Sequence, residues 1–260
     1  MKGAVRIYKK LHPKACSMIA AWPGIGNVSS IVANYIKDKL GAEEIGEIDS
    51  PSFFEPTGVM VEDDVIEAPN FPAGKFYYWQ NAGSDQDIVL FICEQQPDLK
   101  VYELANCILD VGEKLKVGRI YTCAAALSRI HHTEEPKVWA VATDHKLIES
   151  LRKYKVVFRG KFHIVGLNGL FLGVAKERGI EGICLLGEVP TYAMRVANPK
   201  ASLAILRVLT EVLGIEIDLT ELTSLTKQAD EEMKKLAAEA MGEFIGHFTE
   251  PIWERGEEIN

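Results

Sequence analysis

Basic charge is scarce in this chain of 260 residues: 29 Lys and Arg stand against 37 Asp and Glu, for a formal net charge of -8. Nucleic acid and anionic membrane both call for a surplus of Lys and Arg on one face, so the balance argues against either as partner. No run of 18 uncharged apolar residues occurs, which excludes a transmembrane helix. The N-terminus, with Lys2, Arg6, Lys9 and Lys10, has no apolar stretch long enough for a signal peptide, and a cytoplasmic, soluble protein is the expectation. Cys-x-x-Cys is missing too. The five cysteines, Cys16, Cys93, Cys107, Cys123 and Cys184, are odd in number, widely spaced and mostly set in apolar runs, so they read as reduced core thiols and not as redox or metal groups. No fixed-period repeat and no low-complexity tract is present.

What the chain has is apolar mass, 47% of its residues, enough for a continuous core. Strand-like and helix-like segments alternate, which predicts an α/β domain over residues 1–220, followed by a C-terminal helix and polar tail over 221–260. The pattern turns on Trp22-Pro23-Gly24-Ile25-Gly26-Asn27. There the buried strand Cys16 to Trp22 meets a glycine elbow and then a helix with Val28, Ile31, Val32, Tyr35, Ile36 and Leu40 on its apolar face. Asn27 is placed to cap that helix. A hairpin is expected in the proline-rich excursion 51–74, strands at 44–49, 75–80, 87–93, 119–124, 137–143 and 180–186, and helices at 99–115, 145–154 and 166–179. A strand-like segment is expected through Gly160 to Val165. Asn198-Pro199 opens a helix that Gly214 closes. Leu222, Leu225, Met233, Leu236 and Phe244 then recur at intervals that predict a long amphipathic helix, packed on its own domain or paired with another subunit.

The elbow leaves helix N–H groups at a strand's carboxyl end, where open α/β sheets place ligands or partner loops. Gly24-x-Gly26-x-x-Ser29 nearly matches a dinucleotide turn, with Asp49 near the distance of a ribose-binding acid. Pro23 directly precedes it, however, and no Gly-rich Lys-Ser/Thr phosphate loop exists. Glu94, Asn168, Gly169 and Glu188 each adjoin a predicted strand or helix end, so they and Pro23, Gly24, Gly26 and Asn27 form a candidate ligand or partner crevice. His131-His132 with Glu134-Glu135 reads as a solvated loop, its rings pointing opposite ways and so ill suited to one metal. Asp144, beside His145, reads as an N-cap. No Gly-x-Ser-x-Gly occurs, which leaves Cys123 as the one thiol worth testing as a nucleophile. No catalytic residue, cofactor or metal is assigned.

Five segments in order, Trp22-Pro23-Gly24-Ile25-Gly26-Asn27-Val28, Glu94-Gln95-Gln96-Pro97, Gly166-Leu167-Asn168-Gly169-Leu170, Leu185 to Tyr192 and Asn198-Pro199-Lys200-Ala201-Ser202, together resemble the proteasome assembly chaperone 2 family in its archaeal or bacterial-type branch. The resemblance implies a three-layer α/β sandwich with a mixed, largely parallel central sheet, akin to phosphorylase and peptidyl hydrolase-like folds. It also implies self-association, with trimer and tetramer as the sizes to test, and a chaperone role toward proteasome α subunits without nucleotide. Such relatives can end in a hydrophobic residue, Tyr and a final residue. Here the end is Glu258-Ile259-Asn260, so docking by a tail of that kind is not expected. The expectation is a protein-binding, proteasome assembly chaperone-like factor. The alternative is a phosphorylase- or hydrolase-like enzyme, or an ATP-dependent ligase-like nucleotide binder, using the Gly24-Gly26 elbow.

Overall fold

A computed structural model describes residues 4–249 except 57, 98 and 159, with side chains in the last helix described through 235 and at 238. Ten strands and six α-helices carry the labels used below: β1 (Val5–Ile7), β2 (Ala15–Ala21), α1 (Val28–Leu40), β3 (Glu43–Ile48), β4 (Val61–Glu62), β5 (Val65–Ile66), β6 (Gly74–Trp79), β7 (Gln86–Cys93), α2 (Val101–Lys114), β8 (Val117–Ser128), β9 (Val138–Ala142), α3 (His145–Leu151), α4 (Leu167–Glu177), β10 (Glu181–Pro190), α5 (Pro199–Leu213) and α6 (Thr220–Thr249).

Eight strands form one mixed sheet in the order β1-β3-β6-β7-β2-β8-β10-β9, and β4-β5 is a separate hairpin. The four central strands β7, β2, β8 and β10 are mutually parallel, while the flanking pairs are antiparallel. Parallel pairing needs crossovers, and the helices that supply them cover both faces, which is why the central strands read as almost uninterrupted apolar runs. Leu104, Ile108 and Val111 of α2 and Phe171 and Val174 of α4 pack on one face with Trp22 and Phe91. Val32 and Ile36 of α1, Leu147 of α3, Leu206 and Leu209 of α5 and Leu222 of α6 pack on the other. The result is the three-layer α/β arrangement expected.

Ends follow local chemistry. Asn198 Oδ1 accepts from the Ala201 N–H at 2.9 Å, Pro199 opens α5 where no amide is needed, and Gly214 turns left-handed to end it. Asp144 caps α3 by accepting from the Lys146 N–H at 2.6 Å.

Other readings need correction. Asn27 does not cap α1: it has a φ of 49° and its side chain makes no cap bond, because Ile25–Asn27 is itself a short 3-10 turn entering the helix. Glu188 is not beyond a strand end, since β10 runs on to Pro190 along the full length of β8. The segment 160–165 forms no strand; Val157 alone bridges to Trp139. Edge strand β1 leaves little mark in the sequence because three residues, of which Val5 alone packs on the core, need only main-chain pairing to β3.

Candidate functional site

The parallel strands all end at one edge of the sheet, and a cleft of about 540 Å³ opens there. One wall is β8 from Ala124 to Ser128, with Trp139 of β9 and Leu186 and Glu188 of β10. The other is the loop Phe162 to Gly166, which leads into α4 at Asn168, and Gly24, Ile25, Ser29 and Gln96 close the end. Gly169 allows this wall to form, because a Cβ there would stand 2.3 Å from the Ile164 carbonyl oxygen.

Gly24, Asn168 and Glu188 thus meet in one cleft. Pro23, Asn27 and Glu94 do not: they line a separate, open hollow with Lys75 and Tyr77 on the far side of the elbow. There Glu94 is occupied with the sheet edge, its carboxylate accepting from the Ala73 N–H at 2.8 Å. Gly26 is buried against Asn198 and Val196, and Gly169 lies behind the loop wall. The two carboxylates therefore face different hollows and do not form an acid–base pair.

Three consecutive N–H groups of the elbow are committed to the protein. Gly26 donates to the Met194 carbonyl at 3.2 Å, Asn27 to the Gly24 carbonyl at 2.9 Å, and Val28 to the Ile25 carbonyl. A phosphate cradle needs such groups free and convergent, so this turn is built as a corner. Gln96, which the sequence offers only within the segment Glu94-Gln95-Gln96-Pro97, ties the corner to α4: its Nε2 donates to the Pro23 carbonyl and its Oε1 accepts from the Leu167 N–H.

Glu188 is buried, and its carboxylate accepts from Ser128 Oγ at 3.3 Å, Lys137 N–H at 3.0 Å and Trp139 Nε1 at 3.2 Å. Those donors hold the carboxylate in place. Two other polar groups in the cleft lining differ. Asn168, 7% exposed, and Ser29, 3% exposed, have a buried Oδ1 and Oγ without a hydrogen-bond partner. A buried polar atom left unpaired is costly, and these two sit beneath the loop wall and the closed end of the cleft.

The remaining candidates are structural. All five cysteines are buried and free. Burial raises the Cys123 thiol well above its usual range and pushes Cys184 up to about 12, which disqualifies both as nucleophiles near neutral pH. His131 and His132 do not point apart in a solvated loop: the segment is a turn, the rings are 4.1 Å apart, and His132 is buried with its Nδ1 3.0 Å from the Tyr192 hydroxyl. Among the described residues no group of three His, Cys, Asp or Glu is placed to hold a metal, and no helix is long and apolar enough to cross a membrane. Leu222 and Met233 of α6 are buried against the chain's own body, whereas Leu225 is exposed; the side chains of Leu236 and Phe244 and the tail 250–260 lie outside the described residues.

A family model described as the PAC2 family matches residues 18–237. An uncharacterised protein of Methanocaldococcus jannaschii is 29% identical over 240 residues, covering 91% of this chain and 89% of that protein. Among solved structures, Pyrococcus furiosus PbaB, described as an archaeal proteasome activator, is 28% identical with a TM-score of 0.78, over 91% of this chain and 100% of that one. A proteasome-assembly chaperone homologue of Mycobacterium tuberculosis shares the fold, with a TM-score of 0.72 at 23% identity over 85% of this chain and 94% of that one.

Proposed function

The chain belongs to the PAC2 family, and on that premise we propose that it acts by binding other proteins, as a proteasome assembly chaperone-like factor without covalent chemistry of its own. The observation that carries this reading is the family match along residues 18–237, joined to 28% identity with PbaB across that protein's whole length. The site's chemistry supports it. The N–H groups of Gly26, Asn27 and Val28 are spent internally, Glu188 is held by three donors, and burial raises the thiols of Cys123 and Cys184.

Self-association is part of the proposal. The β4-β5 hairpin holds Met60 at 73% and Ile66 at 71% exposure, with Val61 and Val65 also turned to solvent, and an apolar cluster of that kind marks a contact surface. Native mass measurement of the purified chain is expected to give a homo-oligomer, a trimer or tetramer.

Mixing the chain with proteasome α subunits and following native mass and the rate of ring assembly tests the partner. A complex with altered assembly is expected; no complex and no effect on assembly overturns the reading. Because PbaB is described as an activator, peptide hydrolysis by assembled proteasomes is read in the same experiment. The enzyme alternative is tested by melting the chain with ATP, purines and inorganic phosphate, where a ligand of the native state would raise the midpoint. A flat response is expected.

A further inference from the structure

The central sheet has a gap at its carboxyl edge. β2 pairs with β8 only as far as Ala20 opposite Thr122, whereas β8 continues to Ser128 and is paired beyond that point with β10 alone. Successive side chains of a strand point to opposite faces, so a cleft on one face would touch alternate residues. All five residues from Ala124 to Ser128 line this cleft. It therefore opens against the edge of β8, on the side that β2 has vacated. An open edge presents main-chain N–H and C=O groups at strand spacing, and proteins ordinarily cover or blunt such edges. This one has three alanines, Leu127 and Ser128, and no charge.

We infer that the edge of β8 in this cleft receives an extended, uncharged peptide segment of about five residues, added as a strand beside Ala124–Ser128. The inference rests on the protein-binding reading and specifies the kind of segment recognised. Two observations converge on it. The free edge asks for main-chain partners. The lining contains no Lys or Arg, so an acidic side chain would find neither among the described lining residues, and its one carboxylate, Glu188, is already held by three neutral donors of the protein.

The probe is the capped, fluorescein-labelled pentapeptide Val-Thr-Val-Ala-Val, titrated into the full chain. Two N-methylated analogues accompany it, one blocked at residues 1, 3 and 5 and the other at 2 and 4. A strand bonds its neighbour through alternate residues, so one analogue should bind like the parent and the other should lose at least about tenfold. Amide exchange at 124–128 should slow when the peptide is bound. Ala126→Trp fills the cleft, and Val165→Asp puts a charge on its rim at a position 89% exposed, where the fold is not at risk; both should weaken binding.

Equal behaviour of the two analogues overturns the inference, as does protection of 124–128 by ATP or phosphate but not by the peptide. No peptide binding alongside an intact α-subunit complex overturns it and leaves the family-based reading standing. Peptide binding without an α-subunit complex does the reverse.

Discussion

Gln96 holds Pro23: its Nε2 donates to the Pro23 carbonyl at 2.7 Å, and its Oε1 accepts from the Leu167 N–H at 3.2 Å. One amide thereby joins the loop after β2 to the start of α4. Gln96→Ala should lower stability by about 1–2 kcal/mol, the sum of two ordinary hydrogen bonds. The selective readout is amide exchange, which should quicken at Leu167 without a comparable change in α5.

Glu188 is expected to act as a clamp. Glu188→Ala leaves the Lys137 N–H, the Ser128 hydroxyl and the Trp139 Nε1–H without their shared acceptor and should cost about 1–3 kcal/mol, with Glu188→Gln milder because one oxygen remains. Denaturant unfolding measures both.

Two glycines should respond in opposite directions. Gly26 has a φ of +63°, and a Cβ there would stand 3.1 Å from Asn198 Cβ, so Gly26→Ala should destabilise by at least about 1 kcal/mol. Gly173 lies inside α4 with open space around it, and Gly173→Ala should stabilise by about 0.5–1 kcal/mol. Thermal melts of the pair test the sign.

His132 makes stability depend on pH. Burial holds its pKa below 6.5, helped by His131, Lys200 and Lys234 and opposed by Asp230. The unfolded chain then binds the proton more readily, so this contribution is complete above about pH 6.5 and is lost as pH falls through that value toward the folded pKa. His132→Gln should flatten the stability profile across that window.

Lys200 secures α6 to the body by donating to the His132 carbonyl at 2.6 Å and to Asp230 Oδ2 at 3.0 Å. Lys200→Met should cost about 1–2 kcal/mol, the pair being partly open to solvent on the Asp230 side. Exchange should quicken along 220–233 before it does in α5.

Most of the fold was legible because buried parallel strands and amphipathic helices leave apolar patterns that depend on nothing distant. β7 and α2 are cases: Asp87 to Cys93 is nearly all apolar, and Leu104, Ile108 and Val111 recur at helical spacing. β1 was not legible, since an edge strand is defined by its partner. The site was legible in part. Gly24, Asn168 and Glu188 announced themselves by lying next to strand and helix ends, yet the elbow sends Glu94 into a different hollow, a turn of the backbone that no spacing encodes. The bonds of Gln96 and the open edge of β8 arise between segments far apart in the chain.

The strand order also governs how the chain must come together during synthesis. β2 is made early, at residues 15–21, but its neighbours are residues 86–92 and 117–122, and β8 in turn waits for 181–190. Such long-range closure slows folding and leaves apolar strand surface uncovered in the interval. A nascent chain that stops short of β10 would have β2 flanked by β7 and β8 but the far side of β8 and all of β9 without a partner, so a factor proposed to help other chains assemble has itself a stretch of synthesis in which it is exposed to misassembly.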